Sequence, residues 1–253
     1  KKVFEDVKAP VNPAERIYYP VADNQEPLIY IGTDKEVKNP SVNIFFKHEA
    51  TPDSLKNTIN YYASQYMLSM AMTMLNNRLN ELRQTANPPF TNASAGYGEF
   101  FLAKTKEAFS LDARSKVDGI DLAMKTVLEE AERARRFGFT ATEYERARAN
   151  YMQGVESAYN EREKTKSGSY VNEYVNNFLD KEPIPGIEFE YMLTKQMAPN
   201  IPVEAINKMM QQLITDNNQV VLLAGPEKEG VKYPTKEEIA ALLKQMKSFD
   251  LKP

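Results

Sequence analysis

Any chemistry in this sequence has to be built around one imidazole. His48 is the only histidine in 253 residues, and there is no cysteine. Thiolate nucleophiles, disulfide frameworks and thiolate metal sites are therefore excluded, as is a catalytic zinc site drawing two neutral imidazoles from this chain. His48 and Glu49, in Lys47-His48-Glu49-Ala50, are the one neighbouring imidazole and carboxylate. They lie at a strand end, whereas helical metal ligands need i, i+4 spacing, and position 52 is Pro52. A strand-end histidine is the reading. Gly225-Pro226-Glu227-Lys228-Glu229-Gly230 has the glycine spacing of a phosphate loop, but Val231-Lys232 stands where Lys-Ser/Thr is needed. Pro226 also lacks an amide donor, and two glutamates repel phosphate, so the segment reads as an exposed turn. Glu129, Glu130, Glu132, Glu143 and Glu145 alternate with Arg133, Arg135, Arg136, Arg146 and Arg148 in the pattern of a solvated ion-pair face. Tyrosines 61, 62, 66, 97, 151, 159, 170 and 174 read as core. No nucleophile, base or metal site emerges.

Composition narrows the class further. Hydrophobic residues make up 42% and charged residues 26%, ordinary for a globular chain. A net charge of -3 gives no electrostatic case for wrapping nucleic acid or coating a membrane. No stretch approaches the roughly 20 apolar residues that span a bilayer. The chain opens Lys1-Lys2-Val3-Phe4 without an initiator methionine, which suggests a segment of something longer, with any targeting signal upstream.

The elements that must position these residues follow from periodicity and punctuation. Pro10, Pro13, Pro20 and Pro27 make residues 1 to 27 an extended arm, with one short strand expected at Arg16 to Tyr19. Leu28 to Ile31 and the alternating Val42, Ile44 and Phe46 are strands. Thr51 as N-cap and Pro52 at the first helical position predict a helix running to about Gln84, roughly 50 Å long. Asn87-Pro88-Pro89 stops it, and strands are expected at Ala93 to Leu102 and Lys106 to Asp112. A helix then opens at Ser115 and ends at Gly138. Thr140-x-x-Glu143 and Thr235-x-x-Glu238 are capping boxes that start two more. Ser167 to Leu179, Ile187 to Met197 and Val203 to Ile214 are helices, and Gln219 to Ala224 is an apolar strand. Early strands followed by a block of helices predict an α+β fold: one domain over residues 28 to 253 with a mixed or antiparallel sheet, packed on one face by the long helix and the later ones.

A long helix ending Leu79-x-x-Leu82-Arg83, the loop through Asn87-Pro88-Pro89-Phe90, and a strand around Ala95 and Tyr97, after two opening strands, resemble the homologous domains of insulinase-type (pitrilysin-type) zinc metallopeptidases. The capping box at Thr140, the late strand Val220 to Leu223 and the closing helix fit the same pattern, and Pro10 through Pro27 looks like the linker joining two domains in bacterial members. The family's catalytic domain holds zinc through an inverted His-x-x-Glu-His motif and a distant Glu, whereas the corresponding helix here has no histidine. The resemblance therefore implies a non-catalytic domain of a larger zinc endopeptidase. Such a domain would hold no metal itself, would pack against the zinc-bearing domain of the same polypeptide, and would wall a chamber for peptide substrates in the periplasm or cell envelope. In some non-catalytic copies an Arg at the helix end and a Tyr seven residues on reach the substrate backbone. Arg83 falls on the first position and Phe90 on the second, where the phenol donor is missing, and Arg83 also complements the helix dipole. Two alternatives stay open: a structural or assembly subunit on the same fold with no peptidase attached, and an unrelated α+β ligand-binding domain.

Overall fold

The computed structural model describes residues 3, 5–8, 10–15 and 17–253. In chain order these form β1 (Leu28–Asp34), β2 (Ser41–Glu49), the single turn α1 (Asp53–Lys56), the long α2 (Ile59–Arg83), the hairpin β3 (Asn92–Phe100) and β4 (Ala103–Arg114), helices α3 (Ile120–Phe137), α4 (Ala141–Asn160), α5 (Ser167–Asp180), α6 (Ile187–Met197) and α7 (Val203–Leu213), then β5 (Gln219–Pro226) and α8 (Lys236–Gln245). The fold is α+β, as the order of elements predicts.

The five strands make one mixed sheet in the order β1-β5-β2-β4-β3. The two opening strands are not partners. The late apolar strand β5 inserts between them, parallel to β1 (Leu28 opposite Val220) and antiparallel to β2 (Ile44 opposite Val221). One sheet face carries Val42, Ile44, Phe46, Phe109, Leu111, Val221 and Leu223, all fully buried against α2, α3 and α7. On the other face Phe45, Phe100, Ala108, Val220 and Leu222 meet Val21 of the N-terminal arm. The arm is stitched down there. Val21 N–H donates to Thr105 Oγ1 (3.2 Å), Asn24 N–H to Asn218 Oδ1 (2.9 Å) and the buried Lys47 Nζ to the Ala22 carbonyl (2.6 Å). Burial lowers the Lys47 pKa, partly offset by Asp23. Of the short strand expected at Arg16 to Tyr19, Arg16 lies outside the described residues, and residues 17–19 form none.

Several expected boundaries move, each for a local reason. Thr51 does not cap a helix: Pro52 is extended at ψ 138° and itself stands at the N-cap position of the first turn, with no side-chain cap bond, while the Thr51 N–H donates to Glu107 Oε1 (3.1 Å). After the turn of α1, Asn57 leaves the helical region, and Thr58 caps α2 by accepting from the Tyr61 N–H (3.1 Å). The helix therefore has 25 residues, about 37 Å rather than roughly 50 Å. Ser115 does not start α3, since its N–H bonds the Pro40 carbonyl, and the helix begins five residues later behind Gly119. Both capping boxes form as expected: Thr140 N–H to Glu143 Oε2 is 2.7 Å and Thr235 N–H to Glu238 Oε2 is 2.8 Å.

The arginine–glutamate pattern is a solvated face only in part: Glu145 and Arg146 of α4 are exposed, but the charges of α3 are drawn into the fold. Glu132 is fully buried and binds both Arg135 (2.6 Å) and Arg136 (2.6 Å), and Arg136 also donates to the Phe249 and Met246 carbonyls near the C-terminus. Arg78 of α2 grips Glu143 with two bonds (2.6 and 2.9 Å), the Gly138 carbonyl (3.0 Å) and Glu130 (3.4 Å), so one guanidinium ties α2, α3 and α4. Burial alone would raise the Glu143 pKa. Arg78 and the Thr140 N–H and hydroxyl more than offset that and hold it at about 2.

On the outer strand, Asn76 of α2 donates to the Ala95 carbonyl (2.9 Å) and accepts from the Ala95 N–H (2.8 Å), filling the place of a neighbouring strand. The helix α5 has no buried residue at all. Its Tyr170 and Tyr174, read as core from their spacing, are not core, and Tyr174 and Phe178 face solvent.

Candidate functional site

An open cleft of about 820 Å³ lies where the end of β2, α1, the start of α2, the β3–β4 hairpin and the end of α5 converge. A second hollow of about 470 Å³ adjoins it, sharing Thr51, Tyr61, Gln65, Tyr97 and Glu107. The pleat explains why charges gather here. At the open end of the sheet Lys104 and Lys106 alternate along β4, with Glu99 on β3 and Glu49 on β2 beside them.

Each lysine is held between two carboxylates. Lys104 bonds Glu99 (2.5 Å) and Asp180; Lys106 bonds Asp23 (2.8 Å) and Glu49; Lys56 lies 3.3 Å from Glu182 and 3.6 Å from Asp53 and donates to the Asp180 carbonyl (2.7 Å). Bonds to Asp23 and Glu49 raise the Lys106 pKa. For Lys104, burial works the other way and the bonds to Asp180 and Glu99 outweigh it. Tyr61 donates to both oxygens of Glu182 (2.9 and 3.0 Å) and Tyr97 to Glu107 Oε2 (2.9 Å). Burial and then these carboxylates push both phenols upward, so each hydroxyl stays a donor. The cleft thus offers protonated lysines, phenol donors and carboxylate acceptors to a ligand, with each phenol and lysine already engaged.

His48 borders the smaller hollow. Its Nε2–H donates to the Leu213 carbonyl (3.0 Å), and burial lowers its pKa, so the ring is neutral near pH 7. With that nitrogen spent, it is a packed strand-end residue, as its position in the sequence suggests. Among the described residues no group of three or more His, Asp or Glu side chains is arranged to hold a metal ion. Of the segment read as an exposed turn, Gly225 and Pro226 are instead the buried last residues of β5, and only residues 227–230 are exposed. Tyr233 lies against Gly225, where a Cβ would come within 2.3 Å of its hydroxyl, and Tyr233 donates to the Pro226 carbonyl (2.8 Å).

Arg83 is the last residue of α2 and is exposed, while Phe90 is 2% exposed and part of the main core. The structure does not bring the two to one surface, and neither lines the cleft. Tyr61 and Tyr97, read as core from the sequence, line the cleft instead, and Lys104, Lys106 and Glu182 are cleft residues that sequence reasoning did not single out. The one signal for them was charge at period two, Glu99 in one strand and Lys104 and Lys106 in the next.

No family model matches the chain. A protein of Arabidopsis thaliana named zinc protease PQQL-like is 27% identical over 227 residues, which is 90% of this chain and 20% of that protein. The crystal structure of the periplasmic protease PqqL from Escherichia coli superposes with a TM-score of 0.83 at 19% identity, covering 97% of this chain and 27% of that one. A peptidase M16 inactive domain from Pseudomonas fluorescens matches with a TM-score of 0.61 at 13% identity, over 89% of this chain and 48% of its own. The chain spans a fifth of the plant protein and about a quarter of PqqL. No helix among the described residues is long and apolar enough to cross a membrane. The chain is thus similar in sequence, over nine-tenths of its length, to a protein named as a zinc protease, and it shares its fold over nearly all of its length with domains of proteins named as PqqL and as an M16 peptidase.

Proposed function

We propose that this chain is a non-catalytic domain of a larger zinc endopeptidase, where it forms part of the wall of a peptide-degrading chamber and packs against the zinc-bearing domain. The observation that carries the reading is the state of its one imidazole: His48 is neutral, half-buried and committed to the Leu213 carbonyl, and the long helix α2 has no histidine. A relative named as a zinc protease, with this chain accounting for a fifth of its length, supports a parent whose metal chemistry is done elsewhere. Zinc would then be bound by the parent's catalytic domain. The periplasmic setting of PqqL supports a periplasmic or envelope location.

Within this reading the substrate contact rests on Arg83 alone, because a ring as buried as Phe90 presents no surface to a peptide. Arg83 offers an exposed cation at the C-terminal end of α2. The test compares the 253-residue chain with the full polypeptide for zinc content and cleavage of unstructured peptides. The chain alone should retain no stoichiometric zinc and cleave nothing, while the full polypeptide does both. Arg83→Ala in the full polypeptide should raise KM with kcat little changed. Zinc-dependent cleavage by the chain alone would overturn the proposal.

A further inference from the structure

The helix α5 is built inside out. Val171, Tyr174, Val175 and Phe178 fall at i, i+3, i+4 and i+7, one continuous stripe of a helix. They are 52%, 61%, 45% and 77% exposed. Asn176, Leu179 and Asp180, centred roughly 140° around the helix from that stripe, line the charged cleft. Lys56 holds the Asp180 carbonyl and Lys104 its carboxylate. The polar side therefore anchors α5 to the body of the domain and the apolar side faces solvent, the reverse of a helix folding onto its own core. Contiguous large apolar side chains on a surface mark a place where something else binds.

We propose that this stripe docks onto an apolar surface of the adjoining domain of the same, longer polypeptide. The proposal rests on the reading above of the chain as one domain of a larger peptidase. Length argues for that occupant over a second copy of the chain. The plant relative and PqqL extend far beyond the region they share with it, 20% and 27% of their lengths, so both carry further chain able to cover the stripe. The helix-in-groove mode suits the spacing, with the four side chains as anchors.

Hydrogen exchange of residues 167–180 tests this in the full polypeptide and in the 253-residue chain, each as wild type and as the double variant Val175→Glu, Phe178→Glu. The α5 amides should exchange at least ~tenfold more slowly in the wild-type full polypeptide at every protein concentration. The double variant should erase that protection while leaving the melting temperature of the 253-residue chain unchanged. Equal exchange in both wild-type proteins overturns the proposal, as does a reading frame that encodes nothing beyond these residues. Protection that appears in the 253-residue chain as its concentration rises assigns the stripe to a second copy and also overturns it. A protected α5 in a full polypeptide that cleaves no peptide upholds the docking and defeats the peptidase reading instead.

Discussion

The helices α3 and α5 carry the same sequence pattern and meet opposite environments. In α3, Ile120, Ala123, Met124, Val127, Leu128 and Ala131 recur at helical spacing and are all buried against the sheet and α7. In α5, Val171, Tyr174, Val175 and Phe178 recur the same way and all face water. The difference lies in the other side of each helix. On α3, Arg135 and Arg136 converge on Glu132 and hold the helix to the C-terminal segment. On α5, Asp180 is the group that reaches the body of the domain. Periodicity says that a stripe needs a cover, and the polar contacts decide whether the cover is the domain's own core.

Three variants sharpen or break that contrast. Leu128→Ala removes a fully buried side chain of α3 and should cost about 3–5 kcal/mol in a urea titration; a loss under 1 kcal/mol would mean that the α3 stripe is no more packed than that of α5. Arg78→Met should cost about 2–3 kcal/mol, the partial exposure of the pair reducing the penalty of leaving Glu143 and Glu130 without their cation. It also predicts a pH signature. The Glu143 pKa is depressed in the folded state to about 2 from an ordinary 4.5, so its contribution is present above the unfolded value and is lost as pH falls from about 4.5 toward 2. Urea midpoints across that window should fall more steeply for the wild type than for Arg78→Met, and parallel profiles would remove Arg78 as the cause. The smallest effect belongs to α5: Val171→Ala with Val175→Ala should shift the stability of the 253-residue chain by no more than about 0.5 kcal/mol. A loss near that of Leu128→Ala would show that α5 is docked within the chain after all.

Features decided within a few residues were legible in the sequence. The capping boxes at Thr140 and Thr235, the alternation of Val42, Ile44 and Phe46, and the apolar run of β5 stand where their spacing puts them. Features decided by distant partners were not. Nothing near Thr51 reveals that Glu107, on another strand, takes its N–H, or that Asn57 leaves the helical region so that Thr58 starts the long helix. Nothing near Glu132 reveals that its side chain is buried between two arginines rather than solvated. The pairing of β5 between β1 and β2 joins residues 173 to 192 positions apart, beyond any local signal. For the cleft, the absence of catalytic groups could be read from composition, but its lysines and carboxylates come from five elements that meet only in the fold.

The bond pair between Asn76 and Ala95 also shields an edge of the sheet. An outermost strand whose amides and carbonyls point at water is a template on which further copies can polymerise. On β3 a single carboxamide, delivered by the helix beside it, already occupies the middle of that template. A would-be recruit finds its central register taken, so a side chain of α2 guards the outer strand against edge-to-edge pairing.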